Sequence, residues 1–312
     1  MSPFTPPSSY SDPALGFSQI KLSHHPSTSK AITPVVILTI SRIEKNNAFT
    51  SVMENDMVRA FDMLDQDDRV KVIVVTGEGK NFCAGTDLEI GLERTLGVSA
   101  KEHRDGGGRT ALAIHRCRKP TIAAIQGPAI GIGITMTLPM AIRVAWEGAK
   151  VGFVFSQRGV VMEATSSFFL PRLIGHSRAI YLTTTGSVIP ASSHHFGDLF
   201  HALLPSPEDV VPHALALAEQ IASQTSTVST YLMREMMWRN PGSAEGTHLL
   251  DSEIMWELYD TEDKKEGVKA FLEKRNPVMK GKLREGMPRN VPWWEPINVM
   301  PRSGVRDGKS RL

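Results

Sequence analysis

Two stretches of this chain run a short β-branched or apolar segment straight into a glycine-bearing turn, and this repeated arrangement constrains the fold most. The first turn is Asn81-Phe82-Cys83-Ala84-Gly85-Thr86-Asp87-Leu88, after the strand-like Val70–Thr76. The second is Gly127-Pro128-Ala129-Ile130-Gly131-Ile132-Gly133, directly after the strand-like Thr121–Gln126. Each turn is expected to lead into a helix. A helix start offers backbone N–H groups that lack intrahelical partners, and the helix dipole favours negative charge there. Two such turns can aim two N–H groups at one developing oxyanion. Read singly, either is equally a piece of strand-to-helix punctuation.

The rest of the chain supplies a frame for these turns. Val35–Ile40 is short and β-branched, which predicts a buried strand. Met53, Met57, Phe61 and Leu64 recur at helical spacing over 50–66, with Thr50 placed as the N-cap. A helix is expected over 109–118, and short strands over 142–145 and 150–153. From Thr165 onward the pattern is almost wholly helical, in segments 177–185, 207–224, 227–239, 245–258 and 260–274. Alternating strands and helices followed by helices alone predict an α/β core with a helical C-terminal part. We divide the chain into a disordered Ser/Pro-rich lead-in over 1–32, a core over 33–205, a helical region over 206–275 and an extended tail over 276–312.

Composition excludes several classes. Lys plus Arg is 35 against 33 Asp plus Glu, a net charge of +2, so there is no basic footprint for nucleic acid. Two cysteines cannot build a disulfide framework or a Cys-rich zinc site. No apolar run approaches the ~20 residues of a membrane helix. Gly131-x-Gly133 lacks the third glycine of a dinucleotide loop, since Met136 stands there. Gly106-Gly107-Gly108 reads as a flexible surface insertion. No G-x-S-x-G nucleophile elbow is present, His194-His195 lacks the context of a zinc helix, and Cys83 reads as a packing residue. The last three residues, Ser310-Arg311-Leu312, are similar to the Ser-Lys-Leu address read by the peroxisomal import receptor, which makes the peroxisome the expected location.

At its two turns the sequence resembles the crotonase, or enoyl-CoA hydratase/isomerase, superfamily over roughly residues 33–275. The 81–88 segment resembles that family's F-x-A-G-x-D-L block, Gly127–Gly131 its second block, and Arg42-x-x-Lys45-x-Asn47-Ala48 its entry motif. The resemblance implies a ββα spiral core, a helical C-terminal oligomerisation region and a homotrimer or hexamer. It implies an acyl-CoA thioester substrate, with coenzyme A part of that substrate and neither cofactor nor metal required. It places the oxyanion-hole N–H groups on Thr86 and Ile132. It also suggests that Ala84, Asp87 and Leu88 line the adenine side of the coenzyme A pocket, with Lys45 beside a phosphate. The segment from Gly91 to Gly108 is unusually long and is expected to border the acyl pocket.

The acid–base equipment narrows this further. Hydratases of the family carry two glutamates, and at their positions this chain has Thr135 and Phe155. One carboxylate remains, Glu163, four residues after Gly159. This resembles the peroxisomal Δ3,Δ2-enoyl-CoA isomerases, whose single glutamate there opens a helix. A single base can remove the proton at C2 and return it at C4, and Phe153, Phe155 and Val161 are expected to wall it from water. The chain is therefore read as such an isomerase. The alternatives are a hydratase-like enzyme with a displaced base, possibly in a biosynthetic pathway, and a non-catalytic acyl-CoA binder.

Overall fold

The computed structural model describes residues 4–29, 31–90 and 98–299. Its elements are β1 (Ile20–His25), β2 (Val35–Ile40), α1 (Ser51–Gln66), β3 (Val72–Gly77), α2 (Gly106–Arg116), β4 (Thr121–Ile125), β5 (Ala129–Ile130), α3 (Ile132–Thr135), β6 (Ile142–Trp146), β7 (Lys150–Gly152), α4 (Ser166–Ile174), α5 (His176–Thr185), β8 (Val188–Pro190), β9 (Ala202–Leu204), α6 (Val210–Gln224), α7 (Thr227–Trp238), α8 (Ala244–Leu258) and α9 (Glu262–Leu272). Six strands form one sheet in the order β1-β2-β3-β4-β6-β9, and β5-β7-β8 form a second, smaller one. In the large sheet only the β1/β2 pair is antiparallel.

The large sheet is covered on both faces, so its central strands read as continuous apolar runs. On one face Val72, Val74, Ile122 and Val144 meet Ala214 and Ala218 of α6. The small alanine side chains allow a close helix–sheet approach. On the other face Val36, Leu38, Ile73 and Val75 share a core with Met53, Met57, Phe61 and Leu64 of α1 and with Ala111 and Ile114 of α2. Helix α1 begins where expected, with the Thr50 hydroxyl accepting from Met53 N–H at 3.2 Å. Thr50→Ala leaves that donor without its cap, and the expected result is a loss of about 1 kcal/mol in chemical denaturation.

Four expectations need correction. The lead-in over 1–32 is not disordered throughout its described part: β1 pairs along its length with β2, and the buried Tyr10 donates to the Asp67 carboxylate at 3.1 Å. Alternation in Ile20-Lys21-Leu22 is the signal that low local complexity masked. Second, the turn at 81–88 does not start a helix within the described residues. It continues as irregular chain to Ile90, and the next described helix is α2. Third, the C-terminal half also contains the strands β8 and β9, each only three residues long and too short for a periodicity to show. Fourth, Gly106-Gly107-Gly108 is the first turn of α2, with Asp105 as its N-cap at 2.5 Å from Gly108 N, and Gly107 and Gly108 are buried. Residues 91–97 of the long segment and the Ser310-Arg311-Leu312 tripeptide lie outside the described residues.

Candidate active site

The two glycine turns are laced together by backbone hydrogen bonds. Phe82 and Cys83 N–H both donate to Pro128 O at 3.1 Å, and Ile130 N–H donates to Cys83 O at 3.0 Å. The approach is so close that a Cβ on Gly133 would lie 2.3 Å from Cys83 O, so only glycine fits there. Cys83 is buried and its thiol is pushed up to about 12, chiefly by burial, so it is a packing residue with no thiolate to offer.

This lacing holds the stretches that carry Thr86 and Ile132 side by side. Phe49 N–H donates to Gly85 O and Asp87 N–H to Phe49 O, so the bridge uses the residues on either side of Thr86 and turns Thr86 N–H away. Ile132 is the first residue of α3, where an N–H has no partner within the helix. Neither N–H meets an acceptor among the described residues.

Glu163 stands beside Ile132. A Cβ added to Gly107 would fall 1.5 Å from Glu163 Oε2 and 2.9 Å from Ile132 Cδ1, so carboxylate, isoleucine side chain and the first turn of α2 converge. The Thr135 hydroxyl donates to Glu163 Oε1 at 2.7 Å. Burial pushes the Glu163 carboxyl up to about 7. The Thr135 hydrogen bond works against that shift, and the nearby Asp105 charge adds to it. The next two residues, Ala164 and Thr165, both adopt left-handed backbone, with φ of 54° and 52°. For a β-branched residue this is strained and needs support from its surroundings. Ser166 supplies it, both its N–H and its hydroxyl donating to Glu163 O. Glu163 thus lies in a short turn just before α4.

Of the three residues expected to wall the base, one is ruled out by its exposure. Phe153 is buried and Phe155 half-buried against the core, but Val161 is 84% exposed and shields nothing. Gly107 and Ile132 take its place. Among the other expected residues, Ala84 and Leu88 are exposed at the rim of the first turn, and the buried Asp87 is engaged by Arg42 at 2.7 Å. Lys45 is half-exposed and paired with Glu89 at 2.5 Å, so a phosphate there would compete with that carboxylate.

Sequence reasoning missed a second group of charges. Glu54 of α1 pairs with Arg109 of α2 and packs against Gly106; burial pushes its carboxyl up, while Arg109 opposes the shift. Asp105 lies between Glu54 and Glu163 and adds to the upward shift of both. An Asp directly before a helical run is a cap signal that would have found it. No cluster of His, Cys, Asp and Glu suited to a metal occurs among the described residues.

The arrangement offers a carboxylate poised near neutrality beside Ile132, the first residue of α3, which suits proton abstraction beside a carbonyl. A base of this kind works ionised, so its rate constant should fall about tenfold per pH unit below about 7. Thr135→Val removes the one contribution that holds the Glu163 carboxyl down. The acid limb of kcat/KM is therefore expected to move to higher pH, with a smaller change on the plateau; an unmoved limb would remove Thr135 from the account.

A family model described as enoyl-CoA hydratase/isomerase matches residues 31–282. The chain is 47% identical to the enoyl-CoA hydratase AFT3-1 of Alternaria alternata over 251 residues, covering 80% of this chain and 84% of that one. It is 31% identical to the 1,2-epoxyphenylacetyl-CoA isomerase of Escherichia coli, covering 80% and 95%. A crystal structure of a probable enoyl-CoA hydratase/isomerase from Mycobacterium abscessus superposes with a TM-score of 0.74 at 28% identity, covering 80% of this chain and 96% of that one.

Proposed function

The chain belongs to the enoyl-CoA hydratase/isomerase family, and from that premise we propose that it moves the double bond of a 3-enoyl-CoA to the 2-position with one carboxylate. The observation that carries this reading is the Thr135–Glu163 hydrogen bond. Where a hydratase would place its first glutamate, this chain has a hydroxyl that donates to the remaining base. The second glutamate position holds Phe155, which can neither accept nor deliver a proton.

The steps balance with this equipment alone. The Glu163 carboxylate takes a proton from C2, and the electron pair delocalises onto the thioester oxygen. The N–H groups of Thr86 and Ile132 receive that oxygen, a kind of donor whose removal typically costs 10²–10³ in rate. The carboxylic acid then returns a proton to C4, the C2=C3 bond forms and the carboxylate is regenerated. Lys45, Ala84, Asp87 and Leu88 are assigned to the coenzyme A side and Phe155 to the acyl side. No cofactor enters the scheme. The Ser-Arg-Leu terminus supports import into the peroxisome through its receptor. The exposed Leu249, Met255, Trp256, Phe271 and Leu272 on α8 and α9 support a homotrimer or hexamer.

A second reading is hydration of the 2-enoyl-CoA. The relatives named hydratases favour it, and Glu54 and Asp105 supply carboxylates near the base. Product analysis separates the two. With a medium-chain 3-enoyl-CoA the expected product is 2-enoyl-CoA, formed faster than water adds to 2-enoyl-CoA supplied directly. Accumulation of 3-hydroxyacyl-CoA as the main product would overturn the isomerase reading.

A further inference from the structure

One face of α2 continues from the base into a cavity of about 790 Å³. Gly107, which touches Glu163, is followed on the same face by Ala111 and His115 at intervals of four residues. Leu112 and His115 line the cavity, and so do Thr165, Phe168 and Phe169, which follow Glu163 into α4. The cavity is therefore lined in part by two elements that both start at the base. Its outer wall is the chain's own arm over 291–299.

Among the polar residues of this wall, His115 is the one with a buried side-chain nitrogen left unpartnered. Its ring packs edge-on against Phe169 and Trp238, with centroids 5.3 and 6.3 Å away. Its Nδ1 is buried and has no partner. An orphaned buried N–H is rarer than an under-used acceptor, so the ring proton belongs on Nε2. Burial holds the imidazole down to about 4, which keeps it neutral with a single N–H. His115 stands eight residues beyond Gly107, about 12 Å along the helix.

We infer that this cavity receives the far end of the acyl chain and that His115 selects chains carrying an uncharged oxygen there, as hydroxyl, ether or carbonyl, through a donated hydrogen bond. The inference rests on the acyl-CoA reading above and adds the chemical class of the tail. A carboxylate is disfavoured beside His115, where Leu112, Phe168 and Phe169 would strip its hydration; of the two arginines that also line the cavity, Arg239 is already paired with Glu235 at 2.7 Å and Arg116 is exposed to water.

Calorimetric binding to the full chain tests this without turnover, using saturated thioesters. Wild type is expected to bind 12-hydroxydodecanoyl-CoA about tenfold more tightly than dodecanoyl-CoA. His115→Phe should abolish that preference while binding dodecanoyl-CoA at least as well. Leu112→Trp should weaken both long ligands and leave acetyl-CoA unchanged, which keeps the cavity assignment open to disproof if His115→Phe fails to fold. Equal binding of the two long ligands by wild type, an undiminished preference in His115→Phe, or tighter binding of the ω-carboxylate would each overturn the inference. Acetyl-CoA distinguishes the levels: if it fails to bind as well, the acyl-CoA reading itself falls.

Discussion

Glu163→Gln is expected to lose at least about 10²-fold in kcat, because the variant keeps the shape of the base and removes its ability to take a proton. KM should change little, since the coenzyme A contacts and the two backbone donors are untouched. The variant also carries a stability signature. The wild-type carboxyl is raised from 4.5 to about 7 by burial, so the folded state holds its proton more tightly than the unfolded chain does. Stability contributed by that protonated form is complete below about pH 4.5 and is lost as pH rises through about 7. Glutamine never ionises, so the variant should overtake wild type across this window, by on the order of 3 kcal/mol above pH 7. Denaturation at pH 5 and pH 8 measures it. An inactive variant that is also less stable at pH 8 would indicate lost packing, not a lost base.

Gly107→Ala is expected to have a comparable effect from a residue that takes no part in proton transfer. The added methyl would lie 1.5 Å from Glu163 Oε2, so the carboxylate must move. A displacement of about 1 Å in a reacting group costs on the order of 10²-fold. The helix itself should gain from the exchange, because alanine is the better helix former by ~1 kcal/mol. The combination expected is therefore a poorly active protein with an intact α2. Near-wild-type activity would show that Glu163 can do its work from another position, or that the base is elsewhere.

The candidate site was read largely from short motifs. The two glycine blocks singled out Thr86 and Ile132 as candidates, and the substitution pattern at Thr135, Phe155 and Glu163 pointed to one base. Short motifs survive because backbone geometry at a turn tolerates few residues, as Gly133 against Cys83 illustrates. What stayed hidden depends on contacts far apart in sequence. Nothing local in Gly106-Gly107-Gly108 says that Glu54 and Glu163 will press against it. Thr135 read as a missing glutamate and became a hydrogen-bond donor only when the chain brought back a residue 28 positions further along. Val161 looked like wall material by hydrophobicity, yet the turn before α4 leaves it in solvent. The strand β1 was obscured by its Ser- and Pro-rich neighbours, although Tyr10 and the β2 pairing fix it firmly.

The central claim is that one shielded carboxylate carries the proton from C2 to C4. The most direct test is a 3-enoyl-CoA dideuterated at C2, with the 2-enoyl-CoA product analysed for deuterium at C4. Glu163, buried and held by Thr135, should deliver part of the abstracted deuterium to C4 before it exchanges with water. A product whose new hydrogen at C4 comes entirely from solvent would mean that the abstracted deuterium exchanges before delivery or that a second group delivers it, and either would contradict the account of one shielded carboxylate.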